Sequence, residues 1–190
     1  MTESYLESVK KQFLYYKMLG EKAMAQLEPD QLFFMANEDS NSIAMIVKHL
    51  TGNMLSRWTD FMTTDGEKEW RQRDAEFGND LKTKEEVLQL WDKGWDCFLF
   101  ALNSLEPHQL TNIIYIRNEG HTVAEAINRQ LAHYPYHIGQ IVFSAKQLKN
   151  SAWESLSIPR NASNSYNAEK FAKEKSIKNF TDDEINRLKK

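Results

Sequence analysis

Residues 121–143 read HTVAEAINRQLAHYPYHIGQIVF, and the period of this stretch decides the fold. Thr122 followed by Glu125 makes a capping box, in which hydroxyl and carboxylate oxygens satisfy N–H groups left unpaired at a helix start. From there Ile127, Leu131, Tyr134, Ile138, Val142 and Ala145 recur at helical spacing and predict one long amphipathic helix. His133 and His137 leave the same side of it, about 40° apart, so one metal ion lies within reach of both imidazoles. Their stripe stands about 100° from the apolar centre and also carries Gln130, Gln140 and Ser144. The histidines therefore flank the core. Pro135, between them, lacks an N–H and displaces the carbonyl of Leu131, which predicts a kink or widening of the helix there.

Working outward, three more helices follow from the same periodicity. The first spans about residues 3–27, with Leu6, Val9, Phe13 and Tyr16 in phase, and stops ahead of Pro29. The second follows NEDSNS, with Ser40 or Ser42 as cap, and aligns Ile43, Ile46, Val47, Leu50, Met54, Trp58 and Phe61. The third opens on a capping box of Thr83 and Glu86, aligns Val87, Leu90, Trp91, Trp95, Phe98 and Leu102, and ends before Pro107. Residues 64–82 are charged and without period, as a long surface crossover between non-neighbouring helices would be. NIIYIRNEGHT, residues 112–122, reads as a short extended piece or turn. The expected fold is all-α: a four-helix bundle over residues 1–150, plus a C-terminal extension over 151–190, packed on the bundle or partly mobile, with one short helix capped by Thr181 and Glu184.

On the second helix His49 falls on a stripe with Ser42, Asn53 and Ser56, about 100° or more from the apolar centre. If the two polar stripes face each other, His49, His133 and His137 supply three neutral nitrogens and leave positions open, as a catalytic metal site does. On spacing alone a second reading stays open, with His49 a partly buried, hydrogen-bonded residue. His108 and His121 fall in connections, where solvent-facing roles are the expectation.

Composition excludes several classes. A net charge of −3 offers no basic field for nucleic acid, and no Lys/Arg run is interleaved with aromatics. No apolar stretch approaches the roughly 20 residues of a membrane span, and MTESYLESVKKQF lacks the apolar core of a signal peptide. A cytoplasmic location is expected. Cys97 is the one cysteine, so no internal disulfide forms, and its tryptophan-rich helical surroundings predict a buried thiol acting as a small hydrophobe. Paired Glu-x-x-His motifs for a di-iron centre, HExxH, a phosphate-binding glycine loop and GxSxG are all absent.

His49, the intervening polar connection, and the HTxxEA start followed by HxxxHxGQI together resemble the DinB-like superfamily of metal-binding four-helix bundles, which includes YfiT-related proteins. The likeness covers about residues 1–150, and WESLSIPR in the tail resembles a subgroup of undefined function. The resemblance implies a bundle with a long crossover, a homodimer, and one divalent ion, nickel or zinc, held by His49, His133 and His137. It also implies a small-molecule substrate, with a low-molecular-weight thiol transferred to an electrophile as the leading activity. Metal-dependent hydrolysis and a non-catalytic, stress-associated metal-binding role are the alternatives. Gly139 and Gln140 fit the pattern, the first expected in close helix packing and the second hydrogen-bonded behind a ligand. Pro135 departs from it. No acidic residue lies on either histidine stripe, which favours a coordinated thiol over water activated by a carboxylate base.

Overall fold

The computed structural model describes residues 2–189. Within them the chain is mainly helical, with six α-helices and one two-stranded sheet. The order is α1 (Thr2–Ala25), α2 (Ile43–Trp58), α3 (Lys84–Asn103), β1 (Ile113–Ile116), β2 (Glu119–Thr122), α4 (Val123–Lys149), α5 (Ser163–Phe171) and α6 (Phe180–Leu188).

Local chemistry sets the starts. Ser42 caps α2 by accepting from the Met45 N–H at 3.2 Å, and the capping boxes of Thr83–Glu86 and Thr122–Glu125 form as expected at the starts of α3 and α4. α2 stops at Trp58, earlier than its apolar phase suggests, because the backbone turns extended at Thr59 and then takes a positive φ of 47° at Asp60. Phe61 still reaches the interior, from the turn beyond the helix. α4 carries Pro135 and remains one helix from Val123 to Lys149.

α2 packs chiefly on α3 and α1 on α4, with α4 also against α2 and α1 also against α3. Gly94 permits a close approach of α3 to the α2 backbone: a Cβ there would lie 2.9 Å from the Thr51 Cα. The Thr51 hydroxyl donates to the Leu90 carbonyl across the same contact at 2.8 Å. The expectation that residues 64–82 cross to a non-neighbouring helix is thus corrected, since α2 and α3 are direct neighbours. The segments that change partner are 26–42 and 104–122, which lead from α1 to α2 and from α3 to α4.

Between the helices, Phe13, Trp95, Phe98 and Tyr134 pack edge to face, with ring centroids 4.5 Å apart for Phe13–Phe98 and 5.2 Å for Phe98–Tyr134. Cys97 is half-buried instead of buried, its sulfur 3.6 Å from the Thr59 hydroxyl. The stretch at 112–122 forms an antiparallel hairpin turned at Arg117 and Asn118, both at positive φ as a two-residue hairpin turn requires. Asp65 accepts from both turn N–H groups, and Gly66 donates to the Tyr115 carbonyl, so the long connection docks on the hairpin.

The extension holds two helices, not one. Asn179 caps α6 by accepting from the Thr181 N–H and hydroxyl, while Thr181 itself is buried. Ile185 and Leu188 are buried where α6 lies on α1, and Lys11 pairs with Asp182 at 2.8 Å. Gln26 and the Glu154 backbone exchange two hydrogen bonds, at 2.9 and 3.1 Å. No helix among the described residues is long and apolar enough to cross a membrane.

Candidate metal centre

α2 and α4 carry their histidines on facing sides. His133 and His137, one turn apart, bring their Nε2 atoms to 3.1 Å, and the Nε2 of His49 stands 3.4 Å from that of His133. One nitrogen from each of the three lies within 4.8 Å of the others, so the cluster could hold a metal ion. Nitrogens bound at about 2.0–2.1 Å to one tetrahedral ion stand about 3.3 Å apart, close to the two separations that involve His133. Three nitrogen lone pairs brought so near each other repel unless a proton or a cation lies between them. The donor set fits a divalent cation.

The other nitrogen of each ring points away from the cluster. His49 Nδ1 lies 2.8 Å from Glu76 Oε2, His137 Nδ1 2.8 Å from Gln140 Oε1, and His133 Nδ1 3.4 Å from Gln130 Oε1. An Nδ1–H donated to each of these oxygens leaves the Nε2 lone pair of that ring free to turn inward, as metal binding requires. His49 is buried at 6% exposure, whereas His133 and His137 are half-buried, so the centre is more accessible from its α4 side.

Burial also sets the charge state. It pushes His133 down to about 4, and the neighbouring His137 and His49 add to the shift because a second imidazolium there would be repelled. Burial lowers His137 as well, although the bond to Gln140 opposes the shift. Both rings are neutral near pH 7 and need lose no proton to bind a cation.

The acidic residue absent from both helical stripes comes from the connection. Glu76 sits in a short 3-10 turn, Asp74–Phe77, and is only 5% exposed. Its Oε1 accepts from Arg71 Nε at 2.7 Å and its Oε2 from Arg71 Nη2 at 3.1 Å, with His49 on the same Oε2. Burial alone would push the Glu76 carboxyl up, but hydrogen bonds from His49 and Arg71 together hold it below the usual carboxylate range. An ionised carboxylate only accepts, so His49 donates. The reading of residues 64–82 as a plain surface connection is corrected here. Nothing in its run of charges marks the side chains of Glu76 and Arg71 as buried, although Trp70 and Phe77 stand next to them in the chain.

The three histidines expected at the centre are thus together. His108 is exposed, and His121 is half-buried on β2 with its Nε2 shielded from solvent and unpartnered, in contrast to the solvent-facing role expected. Gln140 takes the place expected behind a ligand. Gly139 does not serve helix packing: it is exposed, and a Cβ there would meet nothing within 4 Å.

A family model described as "Protein of unknown function (DUF1572)" matches residues 1–162. The chain belongs to this family. The match takes in α1 to α4, all three histidines, Glu76 and Arg71, and it ends at the approach to α5. Comparison with curated proteins and with solved structures gives no significant match.

Proposed function

We propose that this DUF1572 chain is a metal-dependent enzyme of the DinB-like four-helix-bundle type, which activates a low-molecular-weight thiol for transfer to an electrophile. The observation that carries the reading is the convergence of three Nε2 atoms, each backed at Nδ1 by a side-chain acceptor. Once bound, a divalent ion supplies Lewis acidity, lowering the pKa of a coordinated thiol so that a nucleophile exists near neutral pH. Nickel or zinc suits three imidazoles. His49, His133 and His137 hold the ion, while Gln130, Gln140 and Glu76 fix the ring orientations. The half-buried His133–His137 edge leaves an approach for a small substrate.

Hydrolysis is the alternative chemistry, and it needs a general base within reach of an attacking water. Glu76 lies behind His49, with both oxygens engaged by His49 and Arg71. That arrangement favours the thiol. A homodimer belongs to the same proposal, and Tyr136 and Phe143, exposed on either side of Gly139 along α4, give it an apolar face.

Elemental analysis of purified protein, then titration with nickel and zinc, should find one ion per chain, lost in His49→Ala and His133→Ala. Conjugation of bacillithiol, mycothiol or glutathione to a panel of electrophiles should then be abolished by chelator. One bound ion with no chelator-sensitive turnover of any thiol or ester would leave a non-catalytic metal-binding role and overturn the enzyme reading.

A further inference from the structure

We infer that Glu76, clamped by Arg71, is a positioning residue for the centre: it sets the ring orientation and donor strength of His49, and so makes the connection between α2 and α3 part of the metal site. This rests on the metal reading of the three histidines. Of their acceptors, Glu76 is the charged one, and a carboxylate behind Nδ1–H both holds the ring and enriches its Nε2 as a ligand. Arg71 grips that carboxylate with two N–H groups, the geometry in which guanidinium and carboxylate pair most specifically. The side chains of Arg71 and Glu76 are 3% and 7% exposed, so water scarcely competes for the pair.

The surroundings are shaped to this carboxylate. Gly52 lies on α2 one turn beyond His49, and a Cβ there would come within 2.2 Å of Glu76 Oε1. A glycine in a helix interior weakens the helix itself, and here its missing Cβ is the room that the carboxylate occupies. Phe77 stacks on the His49 ring, with centroids 5.2 Å apart and planes 25° from parallel, so consecutive residues hold the imidazole at its edge and its face. Lys48, next to His49, bonds the Ala75 carbonyl and pairs with Asp80, pinning this turn to α2. Behind Arg71, Glu67 lies 3.6 Å away and also pairs with Arg57 and with Arg117 of the hairpin turn. A chain of alternating charges thus runs from Glu76, behind His49, through Arg71 and Glu67 to Arg117 of the hairpin.

The test uses the full chain and cobalt(II) as the probe, with Glu76→Gln, Gly52→Ala and the wild type compared. In metal-free protein, nitrogen-15 NMR should show His49 protonated at Nδ1 in the wild type and a mixture of tautomers in Glu76→Gln. Both variants should bind cobalt about 10–100-fold more weakly by chelator competition, with a shifted visible spectrum and unchanged helical circular dichroism. Gly52→Ala keeps every charge and favours the helix, so it carries the test if Glu76→Gln does not fold. Cobalt affinities within twofold of wild type in the folded variants overturn the positioning role while leaving the metal centre standing. A wild type that binds no cobalt, or binds it equally well as His133→Ala, overturns the metal centre itself.

Discussion

The hydroxyl of Tyr134 donates to Asn53 Oδ1 at 3.2 Å and accepts from the Trp58 indole N–H at 3.2 Å. Tyr134 follows His133 directly on α4, and Asn53 lies one turn beyond His49 on α2. The bond therefore sets the register of the two helices one residue from His133 and one turn from His49. Burial raises the Tyr134 pKa so far that the phenol stays protonated and can donate.

Tyr134→Phe should therefore leave Trp58 Nε1 and Asn53 Oδ1 buried and unpaired. A loss of about 1–3 kcal/mol follows, readable from the urea midpoint of the metal-free protein. Metal affinity should fall as well, since α2 is freed to shift against α4. An unchanged midpoint would mean that these groups find other partners.

Gly94→Ala puts a methyl group 2.9 Å from the Thr51 Cα, and backbone cannot turn aside as a side-chain tip can. Despite a gain in helix propensity of about 1 kcal/mol, the protein should lose about 1–3 kcal/mol from overpacking. Lys93→Ala, next to it and exposed, should stay within about 0.5 kcal/mol of wild type. Equal unfolding midpoints for the two variants would contradict the close approach of α2 and α3.

Acid should weaken the metal-free protein. The folded state holds His133 and His137 below the ordinary histidine value, so between about 6.5 and about 4 the unfolded chain takes up more protons. Stability is then fully present above the unfolded value and declines as pH falls through that window. Melting temperatures of apo wild type and His133→Ala from pH 7.5 to 4.5 test this. The variant should show the shallower slope, and parallel slopes would refute the assignment.

Ile185→Ala should loosen α6 without touching the centre. Ile185 and Leu188 bury α6 on α1, on contacts separate from those between α2 and α4. Amide exchange in α6 should quicken at least tenfold, while cobalt binding stays at the wild-type value. A parallel loss of cobalt binding would show that the extension supports the site.

Helix phase and capping were legible in the chain because both are local. A period of 3.6 residues, or a threonine three residues ahead of a glutamate, operates within one or two turns. His133 and His137 were legible for the same reason. His49 was legible as one of a polar stripe, and its meeting with them became definite only once α2 lay against α4.

Gln140 could also be expected behind His137, as it lies on the same helical stripe. Glu76 could not. Its partners Arg71 and His49 stand five and 27 residues away, and an aperiodic run of charges looks the same whether water or protein surrounds it.

By itself, then, the sequence determined four long helices, their starts and the two faces that carry histidines, because backbone hydrogen bonding and apolar period act over neighbouring residues. Tertiary structure alone decided which helices are neighbours and which charges are withdrawn from water. Packing and desolvation depend on segments remote in the chain. The short turn that places Glu76 on His49 exists only where α2, the hairpin and the connection come together.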